Sequence, residues 1–152
     1  MRFGLIVASA SLTLLLGGCM TERARPNVDR TPLALAAVRH VTTPSGLAYH
    51  VVHKGPKTGR VPVEGETVTF DYEGKLLDGS VFDSSFARGK PISGAVGQFV
   101  PGFNEALKLM RPGDEWVVWI PPALGYGAQA AGPIPANSTL RFRMALRSVA
   151  TP

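Results

Sequence analysis

The sequence predicts an α+β domain in which a twisted antiparallel β-sheet wraps around one short α-helix. Residues 68–73 and 140–147 alternate apolar and polar side chains, as expected of strands with one buried face. Residues 103–110 are the one short run in the domain with apolar side chains at helical spacing, at i, i+4 and i+7. A sheet that packs against a single helix is an α+β layer architecture.

Residues 68–85 predict two strands joined by a tight turn at residues 77–80. The turn contains an Asp-Gly pair, which tolerates the positive φ that hairpin turns need. This hairpin brings Tyr72, Phe82 and Asp83 to one small region. Two aromatic rings and one carboxylate indicate an apolar pocket with a polar handle.

The other elements follow from local patterns. A short strand is predicted at residues 47–52. The helix at residues 103–110 ends before Pro112, because proline cannot continue the hydrogen-bond ladder. Residues 115–120 are apolar on both faces and predict a central strand. Residues 125–137 form a long loop with three glycines and two prolines, and such loops are often functional.

Length and composition predict one domain with short additions. The chain has 152 residues, of which 45% are hydrophobic and 18% are charged, so a packed core is expected. The net charge of +5 lies mostly in the N-terminal part. From residue 41 onward, eleven Lys and Arg face nine Asp and Glu, a net of +2. This charge is too small to indicate nucleic-acid binding.

The N-terminus resembles a bacterial lipoprotein signal. An apolar run follows Arg2 and ends in Gly17-Gly18-Cys19. We expect residues 1–18 to be a leader that is cut before Cys19, and Cys19 to be lipidated. Met20 resembles the residue that follows the cysteine in lipoproteins sent to the outer membrane. The alternative is an ordinary secretory leader with an incidental cysteine.

The expected organisation is therefore a signal peptide at 1–18, a lipidated cysteine and flexible tether at 19–44, and a folded domain at 45–150. The tether contains prolines, several arginines and a weakly helical run at residues 33–39. The sequence shows no long amphipathic helix that would pair with a second copy. We expect a monomer in the cell envelope, held by its lipid anchor on the periplasmic face of the outer membrane, with the inner membrane as the alternative.

The order of short motifs in residues 45–149 resembles FKBP-type peptidyl-prolyl cis-trans isomerases, the immunophilins that bind macrolides such as rapamycin. The resemblance covers about 105 residues, and eight elements occur in order. They are Tyr72-Glu73-Gly74, Asp78-Gly79, Phe82-Asp83-Ser84-Ser85, Pro101-Gly102-Phe103, Pro112-Gly113, Tyr126-Gly127, Ile134-Pro135 and Leu140-Arg141-Phe142.

The resemblance implies an enzyme that accelerates rotation about X-Pro bonds in exported proteins. The barrier to this rotation is about 18–20 kcal/mol, because the imide bond has partial double-bond character. A pocket that removes water from the carbonyl and holds the proline ring favours the twisted transition state over the planar ground state. Such a reaction needs no cofactor or metal. The implied partners are proline-containing polypeptides, with macrolides as candidate ligands.

The resemblance also assigns roles to individual residues. Tyr126 would direct its hydroxyl at a substrate carbonyl, and the Val100 N–H would bind a second carbonyl. Asp83 would lie at the rim and accept a hydrogen bond from substrate or from the Tyr72 hydroxyl. The implied lining of the proline pocket is Tyr72, Phe82, Val100, Phe103, Ile134 and Phe142.

Simpler interpretations of the same residues stay open at this point. The aromatic residues fit a core of a small sheet protein. Asp83 fits a turn-capping carboxylate, and Tyr126 fits a loop anchor. A non-catalytic binding module or chaperone for proline-containing clients would use the same pocket without turnover.

Two positions depart from the family pattern. The family often has Trp at the position of Phe103 and an aromatic residue at the position of Ile92. Both changes keep the pocket apolar but leave it less enclosed. We therefore expect lower catalytic efficiency and weaker macrolide affinity than in members that have both aromatic residues.

Overall fold

A computed structural model describes residues 39–150. Within this range the sheet has seven strands, and every strand pair is antiparallel. The strand order is β1-β2-β6-β7-β3-β4, and β5 pairs with β3 beside β4. The strands are Val41–Thr42 (β1), Ala48–His53 (β2), Thr67–Lys75 (β3), Val81–Ser84 (β4), Ile92–Ala95 (β5), Glu115–Ile120 (β6) and Leu140–Val149 (β7).

The principal helix, Pro101–Leu109 (α2), lies against the inner face of this sheet, and the predicted α+β architecture is confirmed. It begins two residues before the predicted start, because Pro101 supplies a helical φ at a position whose N–H needs no partner. The chain becomes extended at Met110, with ψ of 154°. The helix therefore ends where Arg111-Pro112 requires it to end.

A one-turn helix, Ser85–Arg88 (α1), and a 3₁₀ turn, Pro122–Leu124, complete the elements. The α1 turn is capped by the Ser84 hydroxyl, which accepts from the Ala87 N–H at 3.1 Å. It ends at Gly89, whose φ is 63°. The sequence does not predict α1, because four residues are too few to show a helical period.

The predicted hairpin is confirmed. β3 pairs with β4 so that Gly74 lies opposite Asp83. The Gly79 N–H donates to the Leu76 carbonyl at 3.0 Å, and Gly79 has the positive φ of 89°. Asp78 accepts from the Ser80 N–H at 2.8 Å and so fixes the turn from within.

The core lies between α2 and the inner sheet face. Alternate residues of β3 and β7 reach it, as the sequence predicts. Phe70 of β3, Leu107 of α2 and Met144 of β7 are fully buried there. The predicted central strand is also confirmed, because β6 lies between β2 and β7. Two register partners break the alternation, because Asp71 and Ala145 face outward but are buried. The Asp71 carboxylate binds the Ser85 hydroxyl and the Arg147 guanidinium, each at 2.9 Å.

Two boundaries differ from the sequence analysis. β2 is displaced by one residue from the predicted strand at 47–52. β1 lies upstream of residue 45, in the segment assigned to the tether, and pairs with Ala48 and Tyr49. Cys19, the leader and all but the last residue of the helical run at 33–39 lie outside the described residues.

Arg141, Arg143 and Arg147 lie on the outer face of β7. Two of them form ion pairs: Arg143 with Glu115 at 2.6 Å and Arg147 with Asp71 at 2.9 Å. The outer face is therefore less positive than its sequence indicates. In the range 39–150, no helix is long and apolar enough to cross a bilayer.

Gly74 lies where two aromatic rings pack directly against the backbone of β3. A Cβ at Gly74 would overlap the Phe82 ring and lie 2.8 Å from Phe142 Cε1. We predict that Gly74→Ala lowers the free energy of unfolding by about 1–3 kcal/mol, because the overpacked rings must shift. Lys75→Ala on the same strand should change it by less than about 0.5 kcal/mol. Urea denaturation of both variants is the measurement, and equal effects would contradict this close packing.

Candidate active site

A cavity of about 630 Å³ opens where α2 meets the inner sheet face. Apolar side chains form most of its wall, and all eight predicted site residues line it. The complete lining is Phe70, Tyr72, Phe82, Asp83, Ile92, Gln98, Phe99, Val100, Phe103, Tyr126, Pro133, Ile134 and Phe142.

Phe103 lies at the centre of the aromatic cluster. It comes from the first turn of α2 and is 4% exposed. Its ring centroid lies 5.2 Å from that of Phe70, 5.2 Å from that of Phe99 and 5.1 Å from that of Phe142. The Phe142 contact is edge-to-face, at 83°. All three separations lie in the range that aromatic pairs prefer, so each ring limits the freedom of its neighbours.

The sheet supplies the aromatic walls. Tyr72 follows Phe70 by two residues on β3 and therefore shares its inner face. Gly74 continues the same face without a side chain, and Phe142 of β7 is its register partner. The space above Gly74 is filled by Phe82 and Phe142, whose ring centroids are 5.5 Å apart at 85°. These rings belong to the cavity wall, and Phe142 and Phe103 are also part of the core.

Asp83 supplies the one charged group of the cavity wall. The Tyr72 hydroxyl donates to its carboxylate, and the Arg88 guanidinium forms an ion pair with it. Arg88 also donates to the Tyr72 hydroxyl oxygen at 3.2 Å. The hydrogen bond from Tyr72 lowers the pKa of Asp83 below 3.8, with Arg88 adding to the effect and burial opposing it. At pH 7 Asp83 is therefore ionised, and the positive charge of Arg88 balances its negative charge.

The pKa of the Tyr72 phenol is raised above 10.0, mainly by burial and then by the hydrogen bond to Asp83, while Arg88 opposes the shift. Tyr72 therefore stays protonated and remains a donor. Behind it, the Tyr72 N–H donates to the fully buried Ser85 hydroxyl at 2.9 Å. Ser85 in turn donates to Asp71, so α1 holds the backbone of β3 directly behind the Tyr72 ring.

The loop at residues 125–137 forms the opposite wall. The Asn137 N–H donates to the Gly127 carbonyl at 2.7 Å and closes the loop. Reciprocal hydrogen bonds between Ala131 and Ile134 hold Ile134 inward, where it is buried. Tyr126 is 42% exposed at the cavity mouth. The loop thus presents one apolar side chain at depth and one hydroxyl-bearing ring at the rim.

Sequence reasoning missed several residues of this site. Phe70 has the same alternation as Tyr72, and Phe99 precedes Val100, so both carried a usable signal. Arg88 gave none, because its approach to Asp83 depends on the unpredicted α1 turn. Gln98 and Pro133 were also missed, while Ile92 was noted only as a departure from the family pattern.

The arrangement suits desolvation better than charge-driven catalysis. Its carboxylate is already bound to two donors, and most of its wall is formed by aromatic and aliphatic side chains. Among residues 39–150, no cluster of three or more His, Cys, Asp or Glu could hold a metal ion. The cavity can therefore accept an apolar ring and offer hydrogen bonds at its mouth.

The link between Tyr72 and Asp83 has a measurable consequence. An ultraviolet difference titration of wild type against Tyr72→Phe isolates the Tyr72 phenol. We predict that it ionises above pH 10.0. Asp83→Asn should lower this pKa, because it removes the negative charge that disfavours ionisation of the phenol.

The two shifted pKa values determine how the stability of the fold depends on pH. The Tyr72 contribution is present below pH 10.0 and is lost as the pH rises through the raised pKa of the folded state. The Asp83 contribution is present above pH 3.8 and is lost as the pH falls through the lowered pKa.

Glu73→Gln, on the other face of β3, is the control for the titration of Tyr72. A Tyr72 pKa that Asp83→Asn leaves unchanged would contradict the assigned contact.

Comparison with known proteins gives the same family from sequence and from structure. The chain is 46% identical over 110 residues to the outer membrane protein MIP of Legionella longbeachae, which covers 72% of this chain and 46% of that protein. It is 44% identical over 109 residues to the FKBP-type 22 kDa peptidyl-prolyl cis-trans isomerase of Escherichia coli K12, which covers 71% of this chain and 52% of that protein. The chain thus spans about half the length of these curated relatives.

Solved structures agree. The crystal structure of FkpA from Escherichia coli matches with a TM-score of 0.69 and 40% identity, over 72% of this chain and 51% of that one. A peptidyl-prolyl cis-trans isomerase of Pseudomonas syringae matches with a TM-score of 0.67 and 29% identity, over 74% of this chain and 81% of that one. Residues 58–147 match the family model of FKBP-type peptidyl-prolyl cis-trans isomerases. The chain belongs to the FKBP-type peptidyl-prolyl cis-trans isomerase family.

Proposed function

We propose that this protein is a peptidyl-prolyl cis-trans isomerase that acts on X-Pro bonds of exported polypeptides. The observation that carries the proposal is the meeting of all eight predicted site residues around one aromatic cavity. These residues come from β3, β4, β7, α2, the residue before α2 and the long loop. Family membership supports the same activity.

The physical demand of the reaction matches the cavity. In the ground state the imide carbonyl is polar and hydrated, and amide resonance opposes rotation. In the twisted transition state this resonance is lost. A water-excluding aromatic wall therefore destabilises the planar form relative to the twisted form, and no covalent intermediate is required.

We assign the site residues on this basis. The proline ring lies on Phe103 and is enclosed by Tyr72, Phe82, Ile134 and Phe142. Tyr126 donates its hydroxyl to a substrate carbonyl, and the Val100 N–H donates to another. Asp83 orients the Tyr72 hydroxyl and, with it, the rim of the cavity. The neutral state of the Asp83–Arg88 pair supports this assignment, because an unpaired charge here would draw water into the site.

The mutational test compares Asp83→Ala and Tyr126→Phe with Tyr49→Phe in a protease-free assay of peptide exchange. We predict that each site variant lowers kcat/KM about tenfold, since each loses a hydrogen bond made to, or oriented toward, the substrate. Tyr49 stacks on Trp116 outside the cavity lining, so Tyr49→Phe should retain wild-type turnover. Wild-type turnover in both site variants would overturn the assignment.

The alternative is a non-catalytic module that holds proline-containing clients in the same cavity. It would bind an X-Pro peptide, and rapamycin would displace that peptide, but the peptide would not exchange faster. The assay therefore separates the two functions if peptide binding is measured alongside it. The presence of both Asp83 and Tyr126 favours the enzyme, because a docking surface does not require both.

We further propose that Cys19 is lipidated after removal of residues 1–18, and that residues 19–44 tether the domain, as a monomer, to the periplasmic face of the outer membrane. The apolar run before Gly17-Gly18-Cys19 supports the lipid anchor. The name of the Legionella relative, an outer membrane protein, supports a cell-envelope location.

Expression of the full chain in a Gram-negative bacterium tests the anchor. We predict that Cys19→Ser moves the protein from the membrane fraction to the soluble fraction or leaves it as an unprocessed precursor, because no acyl chain can be attached. The conservative neighbouring change Thr21→Ser should stay with the membrane. Mature Cys19→Ser protein that remains in the membrane fraction would contradict lipidation at this residue.

A further inference from the structure

We propose that Asn104 is a positioning residue for this reaction: its buried amide holds residues 97–99, which lead to Val100, in register with the helix that carries Phe103. This inference rests on the proposed isomerase function. Asn104 does not line the cavity, and it acts through the backbone of residues that do.

The Asn104 side chain makes three hydrogen bonds to one short loop. Its Oδ1 accepts from the Gly97 N–H at 2.8 Å and from the Phe99 N–H at 3.4 Å. Its Nδ2 donates to the Phe99 carbonyl at 2.6 Å. Asn104 is 8% exposed. A side-chain amide has both an acceptor and donors, so one residue satisfies both backbone polarities of Phe99.

This loop forms the cavity wall between β5 and α2. It supplies Gln98, Phe99 and Val100 to the lining. The Val100 carbonyl accepts the Phe103 and Asn104 N–H groups at 3.0 and 3.1 Å, so the same loop also begins the helix. Asn104 thus joins the two backbone segments that carry Val100 and Phe103.

Ring packing alone does not fix this wall. Phe99 contacts Phe70 and Phe103, with centroids 5.4 and 5.2 Å apart, but such contacts are not directional enough to set a backbone N–H. Gly97 has no side chain to restrict the loop, and its φ of 110° is one that glycine adopts readily. A substrate hydrogen bond at Val100 needs a geometry held within about 0.5 Å, and the three bonds to Asn104 provide that constraint.

The placement of this asparagine supports a dedicated role. Asn has a low propensity for helix interiors, because its side chain competes for backbone hydrogen bonds. Asn104 is the fourth residue of α2, yet its amide satisfies the neighbouring loop.

The test compares Asn104→Ala with Ala106→Gly, which weakens the same helix at a fully buried residue that does not bond to the loop. Both are assayed at a temperature at which urea denaturation shows them fully folded. We expect Asn104→Ala to lower kcat/KM about tenfold, mainly through KM, because the loop hydrogen bonds that hold Val100 are lost. Ala106→Gly should stay within about twofold. Amide exchange at Phe99 should accelerate in Asn104→Ala alone.

A second variant keeps the test decisive if Asn104→Ala does not fold. Asn104→Asp retains the acceptor for the Gly97 and Phe99 N–H groups, but its second carboxylate oxygen faces the Phe99 carbonyl, so two acceptors repel each other where a hydrogen bond was. We expect its KM to rise about tenfold, as in the alanine variant. A KM within twofold of the Ala106→Gly value in either folded variant would overturn the positioning role. An inactive wild type would instead refute the proposed function.

Discussion

The packing around Phe103 is the contact on which both the core and the cavity depend. Its ring comes from the first turn of α2 and meets Phe70 of β3, Phe142 of β7 and the loop residue Phe99. Because these contacts join the helix to the sheet, they stabilise the fold. Because the same rings leave one side open, they also form the floor of the cavity. Stability and binding therefore rely on one set of aromatic side chains.

Polar groups are arranged so that the cavity stays apolar. Asp83 is bound by Tyr72 and Arg88 at the rim, and Asp71 is bound by Ser85 and Arg147 behind the sheet. Asn104 directs its amide into the loop at residues 97–99. Each of these three polar side chains thus has partners on another element. These bonds set the position of the walls, while the walls themselves remain hydrophobic.

Much of the fold could be predicted from the sequence, because β3, β6 and β7 each bury a regular pattern and an Asp-Gly turn fixes the hairpin. The eight site residues were found through their motif order. Features that depend on tertiary contact were not found. The α1 turn is too short for a periodic signal, and Arg88 becomes part of the site only because α1 turns it back to Asp83. The burial of Asp71 similarly required knowledge of Ser85 and Arg147.

We propose that the aromatic cavity itself accelerates X-Pro rotation. The most direct measurement is the cis-to-trans exchange rate of a short X-Pro-Phe peptide with the wild-type protein, with X as Leu, Ala or Glu, in the presence and absence of rapamycin. We expect faster exchange, strongest with apolar X, and its loss when rapamycin occupies the cavity. A folded protein that binds the peptide in this cavity without changing its exchange rate would show that the cavity is not catalytic.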